Sequence, residues 1–189
     1  MIKSIINLKI NLLIKICIIL IFFTIKSYAD DSNSIKKKIT IGSNDALVKI
    51  QVLSSLTCPH CADFHINVLP DIKKEYVDTG IVQVIFIDFP LDQAAFNASK
   101  LLHCVGEKKQ ISFLDIIYEN QSKWISGSTI DAINMNLKKI VKDLGISDND
   151  FDKCLIDEAI SDKILNDRIE ANQKYSITST PTIIINEKK

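Results

Sequence analysis

The feature that most constrains this sequence is a pair of cysteines, Cys58 and Cys61, between a predicted strand and a predicted helix. Residues 47–53 (LVKIQVL) alternate in character and are rich in β-branched side chains, which predicts a strand. An amphipathic stretch then runs to about Tyr76, and residues 81–89 (IVQVIFIDF) predict a second long strand. The chain therefore opens as strand, helix and strand, as in a βαβ unit, and its predicted fold class is α/β.

The position of the cysteine pair at a helix N-terminus predicts redox chemistry. Thr57 is a suitable N-cap, and Pro59 suits the first helical turn, where a missing N–H costs nothing. Unpaired N–H groups and the positive end of the helix dipole favour thiolate over thiol at Cys58. His60 adds a hydrogen-bond donor or a positive charge, so we expect a depressed pKa at Cys58. Cys61, one turn further along, is expected to be the resolving thiol.

Two other interpretations of the pair remain open, namely a structural disulfide and half of a zinc site. Four-ligand zinc sites usually show a second ligand pair at matching spacing, and the sequence has no second Cys-x-x-Cys and no His-x-x-x-His. The spacing of His60, His65 and His103 is not diagnostic of a metal site. We predict that His65 is a solvated helix residue, with a place on the rim of the site as the alternative.

Residues 1–29 have the pattern of a cleavable secretory signal peptide. Three lysines precede an almost wholly apolar run at 16–25, and Ser27-Tyr28-Ala29 places small residues at a cleavage site. An uncleaved membrane anchor is the alternative, but about twenty apolar residues are needed to span a bilayer. Residues 30–189 then form one domain of ordinary size, expected in the periplasm.

The charge balance and the cysteine content indicate which binding partners and which cellular compartment to expect. The 23 basic and 23 acidic residues cancel, so no nucleic-acid partner is predicted. Of the five cysteines, Cys17 lies in the signal peptide and four remain in the exported part. An oxidising compartment favours pairing, and Cys104 and Cys154 are the pair left after the Cys58–Cys61 pair. Two buried free thiols are the alternative for Cys104 and Cys154.

Three segments together carry a resemblance to a known family. These are Cys-Pro-His-Cys at 58–61, Asp-Phe-Pro at 88–90 after the second strand, and Thr-Pro-Thr at 180–182. In this order they resemble the DsbA family of periplasmic disulfide oxidoreductases. The resemblance implies a thioredoxin-like fold with an α-helical domain inserted at about 91–175.

The resemblance also implies a function and a second half of the site. Pro181 is implied to be cis, with the backbone of Thr180 exposed to pair with an extended substrate, whereas an ordinary trans proline is the alternative. The implied activity is disulfide donation through Cys58 and Cys61 to reduced or unfolded secreted proteins. The implied partner is a membrane quinone-linked oxidase of the DsbB type, and no cofactor is expected. Some proteins of this family also have a second, non-catalytic disulfide like the one predicted here.

Three further functions remain open. A disulfide isomerase or reductase would use the same two cysteines at a different redox potential. A non-enzymic thioredoxin-like protein would bind Cu(I) or zinc through Cys58, Cys61 and a histidine. An inactive truncated remnant is the third.

The sequence departs from the family pattern in two places. Members similar to this chain carry a buried acid at the position of Val52, so proton transfer to Cys61 is expected to rely on water or on another group. The sequence also ends eight residues after Pro181, at the start of a turn formed by Asn186 and Glu187. We therefore expect the final strand and helix to be missing and the edge of Thr182–Ile185 to be unpaired.

Overall fold

The structure is a computed structural model that describes residues 38–189. The predicted signal peptide and Cys17 lie outside the described residues. Within residues 38–189, no helix combines the length and apolar character needed to cross a membrane.

A four-stranded mixed sheet lies at the centre of the domain. Its strands are β1 (Ile39–Ile41), β2 (Val48–Ser54), β3 (Val82–Asp88) and β4 (Thr182–Ile185). The order across the sheet is β1-β3-β2-β4, with β2 and β3 parallel and the two outer strands antiparallel to their neighbours. The parallel pair is the predicted βαβ unit, because the helix between β2 and β3 returns the chain to the same end of the sheet.

The helical run between β2 and β3 packs on one face of the sheet. It consists of α1 (Pro59–Asp63), a π-helical turn (Phe64–Val68), α2 (Leu69–Ile72) and a second π-helical turn (Lys73–Val77). Leu69 and Val77 from this run pack with Val52 and Val84 of the sheet in one hydrophobic cluster. The run therefore presents its first turn, with the cysteine pair, at the C-terminal end of β2.

Six α-helices and one 3-10 helix (Glu107–Lys109) lie between β3 and β4 in the chain. The α-helices are α3 (Gln93–Cys104), α4 (Gln110–Glu119), α5 (Gln121–Trp124), α6 (Ile130–Lys142), α7 (Asp148–Leu155) and α8 (Glu158–Tyr175). Side-chain oxygens of Asp92, Thr129, Ser147 and Asp157 cap four of these helices at their N-termini. The apolar faces of α3 to α7 form one core around the fully buried Trp124, which also contains Cys58 and Cys61.

Two covalent or ionic links tie α3 to its surroundings. A disulfide joins Cys104 at the end of α3 to Cys154 in α7, across a sequence separation of 50 residues. At the preceding residue, His103 Nε2 lies 2.7 Å from Asp88 Oδ2 at the end of β3, and both side chains are buried. The disulfide joins two of the helices that lie between β3 and β4, and the His103–Asp88 pair joins α3 to the sheet.

Helix α8 returns the chain to the second face of the sheet. Ala171 and Ile177 pack against Leu53, Phe89 and Ile184 in a third apolar cluster. After β4 the chain makes a tight turn through Asn186 and Glu187, which both have positive φ, and Ile185 and Lys188 exchange backbone hydrogen bonds of 2.8 and 3.0 Å. The turn is therefore present as predicted, while the absence of a final strand and helix stays a prediction.

Candidate active site

Cys58 itself is the N-cap residue of α1. Its backbone is extended, with φ −77° and ψ 122°, and its carbonyl accepts hydrogen bonds from the backbone N–H groups of Cys61 at 3.1 Å and Ala62 at 3.2 Å. The prediction that Thr57 is the N-cap is wrong. The Thr57 hydroxyl instead donates to Asp92 Oδ2 at 2.7 Å, because the loop after β3 brings this carboxylate beside it.

The loop before β4 lies directly against Cys58. Both Cys58 and Cys61 are free thiols, and the Sγ of Cys58 donates to the backbone carbonyl of Thr180 at 3.3 Å. The Thr180–Pro181 peptide bond is cis. The fold thus places two segments that are 122 residues apart in the chain on either side of one sulfur.

The surroundings of Cys58 favour its thiolate. Burial raises the pKa of Cys58, but the Thr180 side chain, the backbone N–H and side chain of Cys61, and the backbone N–H of His60 together outweigh burial and lower it. The backbone donors among these groups belong to the first turn of the helix, as the sequence indicates. The His60 contribution comes from its backbone, and both Pro59 and His60 have exposed side chains.

Cys61 has the opposite character. It is 1 % exposed, and burial raises its pKa to about 11, although hydrogen bonds from the backbone of Ser55 and the side chain of Thr180 act in the other direction. Val52 lies in the underlying strand and is also 1 % exposed. The surroundings therefore favour a thiolate at Cys58 and a protonated thiol at Cys61.

Selective alkylation tests this difference. In the reduced protein at pH 6–7, we expect iodoacetamide to modify Cys58 at least tenfold faster than Cys61, since alkylation requires the thiolate. The reaction of Cys58 should persist below the ordinary cysteine range, because its pKa is lowered. Peptide mass spectrometry after timed quenching measures both rates. Equal rates for the two thiols would contradict the assignment of roles.

Gln121, which the sequence did not single out, holds the loop that carries Cys58. Its buried side-chain Nε2 donates to the backbone carbonyls of Leu56 at 2.8 Å and Cys58 at 3.0 Å. An isolated glutamine in a polar stretch gives no signal in the sequence. The fold brings it here because α5 begins beside the β2–α1 loop.

His65 is buried, so the prediction of a solvated helix residue is wrong. Its side chain is 6 % exposed, because α4 packs over the first helical run at this point. The Nε2 atom lies 2.7 Å from Asp115 Oδ1, and the ring lies 4.8 Å from the ring of Tyr118. His103 pairs with Asp88.

This arrangement defines a thioredoxin-like dithiol site. It combines a low-pKa cysteine at a helix N-terminus with a buried partner cysteine one turn away and a cis-proline beside them. Residues 34–189 match the profile of the family described as Thioredoxin. The crystal structure of Wolbachia pipientis alpha-DsbA1 superposes with a TM-score of 0.73 at 32% identity, over 82% of this chain and 78% of that one.

Two relatives extend the comparison. The probable disulfide bond formation protein D of Bacillus anthracis is 30% identical over 155 residues, which are 78% of this chain and 69% of that protein. A Rickettsia bellii protein that carries the name protein-disulfide oxidoreductase is 25% identical over 153 residues, and this chain spans only 56% of its length. The chain belongs to the thioredoxin family and, within it, to the DsbA-like proteins, which confirms the predicted family and fold class.

Proposed function

We propose that this protein is an exported thiol–disulfide oxidoreductase that introduces or exchanges disulfide bonds in other proteins through Cys58 and Cys61. The observation that carries the proposal is the contrast between the two sulfurs beside the cis-proline. Cys58 has a lowered pKa and touches the Thr180 carbonyl, whereas the pKa of Cys61 is raised to about 11. Stabilising the Cys58 thiolate stabilises the reduced form, and this makes the disulfide form a stronger oxidant.

The reaction follows from these two roles. In the oxidised protein, a substrate thiolate attacks the Cys58 sulfur, forming a mixed disulfide and releasing Cys61 as a thiolate that takes up a proton. A second substrate thiolate then attacks the substrate sulfur of the mixed disulfide and releases Cys58 as a stable thiolate. Two substrate thiols are oxidised, and the Cys58–Cys61 disulfide is reduced.

Apolar surface beside the site supports extended protein segments as substrates. A cleft of about 490 Å³ adjoins Ser179, the residue before Thr180. Leu91, Leu165 and Ile169 line this cleft, and between 40% and 53% of each side chain is exposed. Exposed apolar patches of this kind typically mark a binding surface. A reduced or unfolded protein therefore fits the site better than a small dithiol.

The location and the recycling partner belong to the same proposal. The signal-peptide pattern at 1–29 supports export to the periplasm, where disulfides persist. Reoxidation of Cys58 and Cys61 would then require a membrane quinone-linked oxidase of the DsbB type. The support for both is the sequence pattern and the family resemblance.

Two of the three alternatives from the sequence can be compared with this proposal on structural grounds. An isomerase or reductase would use the same geometry and differ in redox potential. A Cu(I) or zinc protein of the kind considered would add a histidine ligand to Cys58 and Cys61. Among the residues that the structure describes, no group of three or more histidine, cysteine or acidic side chains is arranged to hold a metal.

The redox midpoint of the Cys58–Cys61 pair tests the proposal. The purified protein is equilibrated in glutathione buffers of graded potential, quenched in acid, alkylated and analysed by peptide mass. We expect half reduction near about −120 mV, the oxidising end of the thioredoxin-fold range. A midpoint near about −270 mV would indicate a reductase. Failure of the bridge to form at any potential would overturn both.

A further inference from the structure

An exposed face of α8 forms one wall of the cleft beside Ser179. Leu165, Arg168, Ile169 and Asn172 all line this cleft. Residues three or four positions apart share one face of a helix, and these four residues follow that spacing. None of the four is buried. This face of α8 therefore lies outside the core and is available to a ligand.

The cleft begins next to the loop that contacts the Cys58 sulfur. Thr178 and Ser179 form part of its lining, and the carbonyl of the next residue, Thr180, accepts a hydrogen bond from Cys58 Sγ at 3.3 Å. Consecutive Cα atoms are about 3.8 Å apart, so the cleft starts about one residue length from this contact. An extended segment advances about 3.3 Å per residue. A substrate whose cysteine meets Cys58 therefore reaches the cleft with residues a few positions from that cysteine.

Arg168 gives the cleft a positive charge. Among the described residues that line the cleft, Arg168 alone is charged. No residue three or four positions away along α8 is acidic, and the adjacent Asp167 accepts from Lys163 Nζ at 2.6 Å instead. Within residues 38–189, no carboxylate forms an ion pair with the Arg168 guanidinium. Its charge is therefore left for a ligand to neutralise.

Phe89 supports the guanidinium from below. The Cζ atom of Arg168 lies 5.3 Å from the centroid of the Phe89 ring, within the distance of about 6 Å at which a cation and an aromatic face attract each other. Phe89 is 5 % exposed and packs in the third apolar cluster, so its ring is a fixed support. A guanidinium held in this way presents several N–H groups in one plane, which suits a carboxylate.

We infer that the cleft selects substrate segments with an acidic residue near the reactive cysteine, and that Arg168 determines this specificity. A glutamate or aspartate side chain of the substrate accepts hydrogen bonds from the Arg168 guanidinium, while an apolar side chain packs on Leu165 or Ile169. The side-chain amides of Asn172 and Gln173 line the same cleft and supply donors and acceptors for the substrate backbone.

Reduction of the oxidised protein by charged peptides tests this inference, which rests on the proposed function. Three peptides share a central cysteine and one leucine, and they carry glutamate, glutamine or lysine on both sides of the cysteine. Two peptide thiols form one disulfide while the Cys58–Cys61 disulfide is reduced, and acid quenching with alkylation gives the rate at low peptide concentration.

The expected result is a preference for the glutamate peptide that depends on Arg168. We expect the ratio of the glutamate rate to the glutamine rate to be about two- to fivefold higher in wild type than in Arg168→Gln, the range for partly exposed ion pairs. Dividing one ratio by the other cancels the effect of the glutamates on the peptide thiol itself. Relative to Arg168→Gln, the reversed charge of Arg168→Glu should favour the lysine peptide.

A matched lysine variant separates recognition in the cleft from the net charge of the protein. Lys174→Gln removes a positive charge from the same helix outside the cleft lining, and we expect it to keep the wild-type ratio. Equal ratios in wild type and Arg168→Gln, or an equal loss in Lys174→Gln, would overturn the inference and leave the proposed function standing. If no peptide reduced the Cys58–Cys61 disulfide of wild type, the proposed function and the inference would both fall.

Discussion

Replacing Cys58 with serine is expected to reduce oxidation of a reduced protein substrate to the uncatalysed rate, a loss on the order of 10³-fold or more. The variant cannot form the Cys58–Cys61 disulfide, and a serine hydroxyl at the helix N-terminus neither ionises at neutral pH nor exchanges with a disulfide. The measurement is the appearance of disulfides in a reduced, unfolded protein that is mixed with a stoichiometric amount of the pre-oxidised variant.

The matched variant is Cys61→Ser, which keeps the low-pKa thiol and removes its buried partner. We expect Cys58 to form mixed disulfides with oxidised substrates that persist, because no second thiol lies nearby to resolve them. Mass spectrometry should detect the adduct, and dithiothreitol should release it. Substantial oxidation by Cys58→Ser would show instead that the Cys104–Cys154 disulfide carries the exchange.

Replacing His103 with alanine is expected to lower the free energy of unfolding by about 3–5 kcal/mol, as for other buried ion pairs that lose one partner. Burial raises the pKa of Asp88, but the charge and hydrogen bond of His103, a hydrogen bond from Ser99 and the charge of Lys163 lower it overall. Without His103, a carboxylate with an 8 % exposed side chain would lose its main partner. Denaturant unfolding at pH 7 measures the loss.

Two comparisons check this explanation. The double variant Asp88→Asn, His103→Leu removes the charges together and should be more stable than His103→Ala. The pKa of Asp88 is lowered in the folded protein, so its contribution is present above the ordinary carboxyl pKa of about 3.9 and is lost as the pH falls through the folded value. A His103→Ala variant as stable as wild type at pH 7 would contradict the role of the pair.

Much of the fold followed from short stretches of sequence. The alternating and β-branched segment at 47–53 covers β2 except for its last residue, the segment at 81–89 contains β3, and Pro59 lies in the first turn of the helix between them as predicted. Local signals sufficed here because strand periodicity and the fixed φ of proline act within a few residues. The same locality explains why Thr57 was placed wrongly as the N-cap. Its hydroxyl binds Asp92, and no local rule indicates a partner 35 residues away.

The sequence by itself determined which atoms carry the chemistry. Cys58 and Cys61 at a helix N-terminus predict a reactive thiol and its partner, because backbone N–H groups and helix geometry come with the helix. Tertiary structure alone decided how those atoms are tuned. The Thr180 carbonyl at Cys58 and the Gln121 amide on its loop both come from segments distant in the chain. Burial and long-range contacts set the pKa values of the two thiols, and these contacts depend on packing that no single segment encodes.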